Sequence, residues 1–156
     1  MMYLSELSHL MNTLHTAIEK SITDLPDEAL DWSPGPEFNS LGVLIAHTLG
    51  AERFWIGDIA GEKPSGRIRA DEFAIVGKTV DFFTTQARNI LAHSQSILAN
   101  ITPEELNEIR RVPDSDRQVT VAWAVLHALE HTALHVGHIE LTRQLWEYQQ
   151  LHNKEE

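Results

Sequence analysis

The stretch HALEHTALHVGHIELTR, residues 127–143, decides how this chain reads. His131 and His135 stand four apart. On a helix such positions share a face, with Cβ atoms ~5–6 Å apart. Both imidazoles can then reach one cation through nitrogen–zinc bonds of ~2.0–2.1 Å. At about 100° per residue, His127 and His138 fall on the same side, at roughly −40° and −20° from His131. Ala124 and Ala128 share that face and leave room beside the rings. The opposite side carries Val125, Leu126, Leu129, Ala133 and Val136. A helix that is apolar nearly all round is covered on both sides. In a one-layer bundle the second cover is a long loop or another subunit, so a two-fold homodimer through the back of this helix is expected.

Working outward, three more long helices precede this one. Leu4, Leu7, Met11, Leu14 and Ile18 make one apolar stripe over residues 2–23. A second helix starts at Asn39-Ser40, residue types that cap free N–H groups, and runs to about Ile59. A third starts at Thr79, with Asp81 favourable in its first turn, and keeps the helical period to about Asn100. The fourth runs from Thr120 to about Tyr148. Breaks fall at PGPEF (34–38), at GEKPSG (61–66) and around Pro103 and Pro113. No convincing period-2 strand appears, although Glu108–Val112 reads as a short extended candidate. These features predict an all-α four-helix bundle, residues 1–156 forming one domain. The link 60–78 is long enough to carry the chain back along the bundle, so the second and third long helices are expected to be parallel.

The 156 residues are 42% hydrophobic and 22% charged, the composition of one ordinary globular domain. With 12 basic and 23 acidic side chains the net charge is −11, which argues against nucleic acid or an anionic membrane as the main partner. The absence of Cys excludes disulfides, thiolate metal sites and a Cys nucleophile. No run approaches the ~18 apolar residues of a membrane span. The first twenty residues lack the basic, apolar and small-residue order of a signal peptide, and the expected compartment is cytoplasmic. Nine His are the compositional oddity.

His47 stands in LGVLIAHTLGAERFW (41–55), among Val43, Leu44, Gly50, Ala51 and Phe54 on its face. A His so placed points inward, and a buried polar ring needs a partner. His47, His131 and His135 can satisfy this by sharing a cation; the alternative is that they are ordinary surface or core His. Three neutral nitrogens leave a fourth position for water, the arrangement of a catalytic zinc site, where the metal lowers the water pKa. His9, His15, His93 and His152 read as surface residues, with His152 in a fraying tail. His127 reads as a further ligand, a partner of a ligand, or filler at the pocket end. Gly42, Gly50, Gly57 and Gly137 lie inside helices, where Gly costs about 0.5–1 kcal/mol relative to Ala; close approach of a neighbouring helix would compensate. Glu52 and Glu130 point about 140° and about 100° from the triad. They read as surface or helix-pairing residues, or as a carboxylate orienting a ligand His. Arg110, Arg111 and Arg117, with Arg67 and Arg69, form either a solvated loop surface or a rim attracting an anionic substrate.

The ordered set Trp32-Ser33-Pro34, Asn39-Ser40, His47, Glu52, Trp55, Thr120, Leu126-His127, His131, His135, Gly137, His138, Ile139 and Arg143 resembles the DinB/YfiT-like superfamily along nearly the whole chain. That resemblance implies a four-helix bundle in which His47, His131 and His135 bind a divalent metal; three imidazoles with water suit zinc, nickel, cobalt, copper or iron, with zinc or nickel first. Many relatives carry Gln where His138 stands, a departure that touches the pocket's hydrogen bonding and not the triad. The superfamily includes thiol-dependent transferases, isomerases and hydrolase-like members. The implied function is therefore a metal-dependent hydrolase or thiol S-transferase acting on a small molecule, with a low-molecular-weight thiol as co-substrate. His127 and His138 are the candidate catalytic proton acceptors. Two alternatives remain: a non-catalytic, stress-related bundle that binds a metal or small ligand, and a bundle whose triad packs without metal. The first draws on the lack of a carboxylate base on the His face.

Overall fold

The computed structural model describes residues 2–152. Helix α1 spans Met2–Ile22, buries the predicted stripe at Leu4, Met11 and Ile18, and buries Ile22 one turn beyond it. Asp24 at φ 64° and Pro26 then turn the chain, and a single 3-10 turn, Asp27–Leu30, seats Ala29 and Leu30 in the core. Helix α2 spans Leu41–Glu52, with the Ser40 hydroxyl accepting from the Val43 N–H at 3.3 Å. It continues as a π-helical segment, Arg53–Ala60. The sequence shows the helix running to about Ile59 but not its change of winding.

The link then holds a short helix, α3, Arg69–Phe73, that periodicity did not reveal. Helix α4, Val80–Leu98, is capped by Thr79, whose hydroxyl accepts from the Phe82 N–H. A small antiparallel ribbon follows. Strand β1 (Ile109–Arg111) pairs with β2 (Gln118–Thr120), Ile109 opposite Thr120 and Arg111 opposite Gln118. The extended reading of Glu108–Val112 holds in its centre. Its partner strand is invisible to pattern reading because three residues carry no period. Helix α5 spans Val121–His152, 32 residues, about 48 Å at ~1.5 Å per residue. It continues past Tyr148, so His152 is helical, its Nδ1 2.8 Å from the Tyr148 carbonyl oxygen, rather than frayed.

The core has two layers, and their membership sets the helix directions. Leu4 and Met11 pack with Ile56, Ile59, Leu98, Val121 and Ala124. Ile18 and Ile22 pack with Leu41, Ile45, Phe83, Ala87, Val136 and Ile139. The N-terminal halves of α1 and α5 therefore lie at the end where α2 and α4 finish. Helices α2 and α4 run parallel to each other and antiparallel to α1 and α5, as the long crossover predicted.

Three expectations change. His15 is not on the surface; it is 1% exposed, its Nε2 2.6 Å from Glu52 Oε2. Glu52, itself fully buried, takes the helix-pairing role: it joins α1 to α4 through His15 and through the Ser94 hydroxyl, which donates at 2.6 Å. His93 is half-buried, with Nε2 enclosed. Close approach accounts for Gly42, where a Cβ would lie 3.0 Å from the Leu30 carbonyl oxygen and 3.3 Å from the Phe83 ring. It does not account for Gly137, where a Cβ would meet nothing within 4 Å.

The back of α5 also differs in detail. Val125 and Val136 are buried, and the exposed large apolar residues of α5 are Leu126, Leu134, Leu141, Leu145, Tyr148 and Leu151. The described helices include none long and apolar enough to cross a membrane.

Candidate metal centre

Helix α5 presents His131 and His135 one turn apart, and α2 brings His47 against them. The His47 ring centroid lies 5.0 Å from that of His131 and 5.1 Å from that of His135; His131 and His135 are 4.4 Å apart. One ligand nitrogen from each ring lies within 4.8 Å of the other two. Antiparallel packing of α2 on α5 produces this meeting, since it sets the middle of each helix against the middle of the other.

The electrostatics favour neutral rings. Burial, then the neighbouring His135 and His47, pushes His131 down to about 4. Burial, then His47 and His138, pushes His135 down to about 4. At neutral pH both rings keep a lone pair free for a cation. His131 Nδ1 is buried and finds no hydrogen-bond partner among the described residues. A buried polar atom in that state costs about 1–3 kcal/mol. Three imidazoles, two of them held neutral and one with an orphaned nitrogen, are a donor set that fits a divalent cation of the zinc or nickel type.

The crossover link supplies what the sequence pattern does not show. Glu72 of α3 places Oε2 3.0 Å from His47 Nδ1. Arg67 donates to the same carboxylate from Nε at 2.5 Å and from Nη2 at 2.8 Å. Burial alone would raise the Glu72 carboxyl, but the bonds from Arg67 and His47 outweigh it and hold the group below its ordinary value. An ionised carboxylate only accepts. Nδ1 of His47 therefore carries the proton, and Nε2 is the nitrogen left to offer a cation. Phe73 covers the other side of His47 at 5.1 Å, with Arg69 over its ring at 4.8 Å. No periodic pattern marks Glu72. The one sequence hint was Gly50: the group approaching it closely is the Glu72 carboxylate of the short helix α3, with Arg67 beside it.

The remaining predicted residues flank the triad. His127 stacks on Trp123 at 4.5 Å, meets Trp55 edge-on, and stands 6.0 Å from His131. Glu130 is exposed and its Oε2 lies 3.2 Å from His127 Nδ1, so it orients no ring of the triad. His138 is exposed, its Nδ1 3.4 Å from His135 Nδ1. It also borders a cavity of about 370 Å³ lined by Pro34, Phe38, Leu44, Leu141 and Leu145. Ala124 and Ala128 are filled core positions and open no space. Of the five arginines, Arg117 sits over Trp123 at 4.2 Å, at the His127 end. Arg67 and Arg69 stand at the His47 side, whereas Arg110 pairs with Glu108 and Glu62, and Arg111 reaches Asp116.

The sequence model of the mycothiol-S-transferase family matches residues 6–147. The chain belongs to the mycothiol-S-transferase family. This places it in the DinB/YfiT-like superfamily. Solved structures agree in fold. A conserved protein from Enterococcus faecalis superposes with a TM-score of 0.75 at 16% identity, over 90% of this chain and 95% of that one. A DinB-like protein from Bacillus cereus gives 0.68 at 17%, over 84% of each chain. A DinB-like protein from Bacillus subtilis gives 0.69 at 16%, over 89% of this chain and 90% of its own. No curated protein matches the chain. Within the mycothiol-S-transferase family, the arrangement to be explained is three imidazoles meeting at one point, between two flanking His.

Proposed function

We propose that this chain, acting as one bundle domain, is a metal-dependent thiol S-transferase in which His47, His131 and His135 hold a divalent cation, zinc or nickel. The observation that carries the reading is the meeting of three imidazoles, two of them held neutral by burial, from α2 and α5 of a chain matched by this family. A cation bound there supplies Lewis acidity, which favours the thiolate form of a coordinated thiol near neutral pH.

The chain's own residues do the rest. In the proposed transfer the thiol sulfur forms a bond to an electrophilic carbon, and the leaving group departs with its electron pair. His127 or His138, each beside one ligand His, accepts the proton that the thiol loses. Trp55, Trp123 and Phe73 shield the ring cluster, and the cavity beside His138 takes the apolar part of the electrophile. Arg117, at the far end of the His127 stack, suits an anionic group on one of the substrates. The family's description supports a low-molecular-weight thiol as co-substrate. The cytoplasm, where such thiols are kept reduced, is the compartment this reading implies.

The second copy also belongs to this proposal. Leu126, Leu134, Leu141 and Leu145 leave an apolar stripe along α5 in solvent. Pairing two copies across that stripe would wall the cavity beside His138.

Metal analysis of protein purified without chelator tests the triad. The wild type retains about one equivalent, and His47→Ala or His131→Ala loses it while far-UV circular dichroism stays unchanged. Unchanged metal content in either variant removes the site. Consumption of a thiol and an alkylating reporter then separates transfer from simple binding. Equal rates with and without metal would favour the non-catalytic reading, and ester or amide cleavage without thiol would favour a hydrolase.

A further inference from the structure

We infer that Glu72, delivered by the crossover link and anchored by Arg67, is a positioning residue that sets the tautomer and orientation of His47 for the cation. The inference rests on the metal reading above and assigns a role to a segment that the triad does not contain.

Four observations converge on it. The carboxylate takes the Nδ1 proton of His47 as its hydrogen bond, so Nε2 alone can face His131 and His135. The carboxylate is not free to turn, because Arg67 grips both of its oxygens. Arg67 and Glu72 are mostly buried, with side chains 15% and 10% exposed, so the pair is little screened by solvent. The helix beneath is cut away for it: a Cβ at residue 50 would run into Glu72 Oε1 and lie 3.4 Å from Arg67 Nε.

Gly50 in mid-helix is unfavourable by about 0.8–1.0 kcal/mol relative to Ala. Here it is the condition for seating a carboxylate against α2. Phe73, the next residue of α3, lies on the His47 ring itself. One short helix therefore orients the ligand and covers it. A carboxylate or carbonyl on the second nitrogen of a ligand His commonly changes metal affinity by about 10–100-fold.

The test is zinc affinity by competition with a chromophoric chelator, in full-length wild type, Glu72→Ala, Glu72→Gln, Gly50→Ala and Asp71→Asn. Asp71 is exposed on the same short helix, so Asp71→Asn removes an equal charge without touching His47. Glu72→Ala is expected to weaken zinc by about 100-fold and Glu72→Gln by about 10-fold, since the amide oxygen still accepts from Nδ1. Gly50→Ala, whose methyl would run into the Glu72 carboxylate, is expected to weaken zinc by about 10-fold. Asp71→Asn stays within about twofold. In nitrogen-15 spectra of the metal-free protein, His47 is expected to carry its proton on Nδ1 in the wild type and to mix tautomers in Glu72→Ala.

Zinc affinity within about twofold of wild type in Glu72→Ala overturns the inference. So does an equal loss in Glu72→Ala and Asp71→Asn, which would mark a general charge effect. If Glu72→Ala does not fold, Glu72→Gln and Gly50→Ala decide the matter, and affinities within about twofold of wild type in both overturn the inference. A wild type that binds no zinc and no nickel refutes the metal reading instead, and the tautomer measurement then decides the Glu72 role alone.

Discussion

In the proposed metal site, protons and a metal ion compete for the same lone pairs on His131 and His135, so acid is the sharpest probe of their environment. An imidazole with the ordinary pKa of ~6.5 is about ten-elevenths protonated at pH 5.5 and about one-eleventh protonated at pH 7.5. Two such ligands would weaken metal binding about 100-fold between those pH values, since each must lose its proton first. Burial and the crowding of neighbouring imidazoles hold both rings down to about 4. At pH 5.5 each is then only about 3% protonated, and the two together weaken binding by less than about 10%.

The expected result is an apparent zinc Kd that weakens far less than 100-fold from pH 7.5 to 5.5, then steeply as pH approaches 4. Chelator competition in buffers of constant ionic strength measures it, with the chelator's own protonation subtracted. A loss of 100-fold or more above pH 5.5 refutes the claim that burial sets these rings. The metal-free protein gives an independent reading. Between about pH 4 and 6.5 the unfolded chain binds protons that the native rings refuse. This part of the stability is therefore complete above pH 6.5 and is lost as pH falls toward 4, and metal-free melting temperatures should follow that order.

Other outcomes follow from the packing. His15→Ala strands the Glu52 carboxylate in the core with the Ser94 hydroxyl as its remaining partner there, a kind of loss that costs about 3–5 kcal/mol. Thermal unfolding should move down by about 6–20 °C for a chain of this size; a shift under 3 °C would contradict the buried pair. Gly137→Ala, with open space where the methyl goes, should stabilise by about 0.5–1 kcal/mol. Gly42→Ala, which meets the Leu30 carbonyl and the Phe83 ring, should fail to show that gain in the same melting series. Sedimentation of the wild type at micromolar concentration should give a dimer that Leu134→Asp converts to monomer; a monomeric wild type would remove the proposed pairing.

Much of the architecture was legible because its causes are local. The stripe from Leu4 to Ile18 fixes one buried face, and Ser40, Thr79 and Thr120 each mark a helix start by the hydroxyl they turn to a free N–H. His131 and His135 are neighbours by helical pitch alone. His47 belonged with them by its apolar setting and by the superfamily resemblance, and the length of the 60–78 link already implied a parallel pair of helices.

The chain alone thus determined the long helices, the pairing of the α5 histidines and the absence of any cysteine ligand or nucleophile, each a matter of composition or of residues within a turn of one another. Tertiary structure decided the rest. It placed His15 in the core opposite Glu52, because facing between α1 and α2 depends on how two distant helices rotate when they pack. It filled the space beside Ala124 and Ala128, and it left Gly137 without a neighbour. It brought Glu72, twenty-five residues from His47, onto that ring's second nitrogen. Such a contact leaves no period in the sequence, since it is made by a link whose path is set only when α2 and α4 lie side by side.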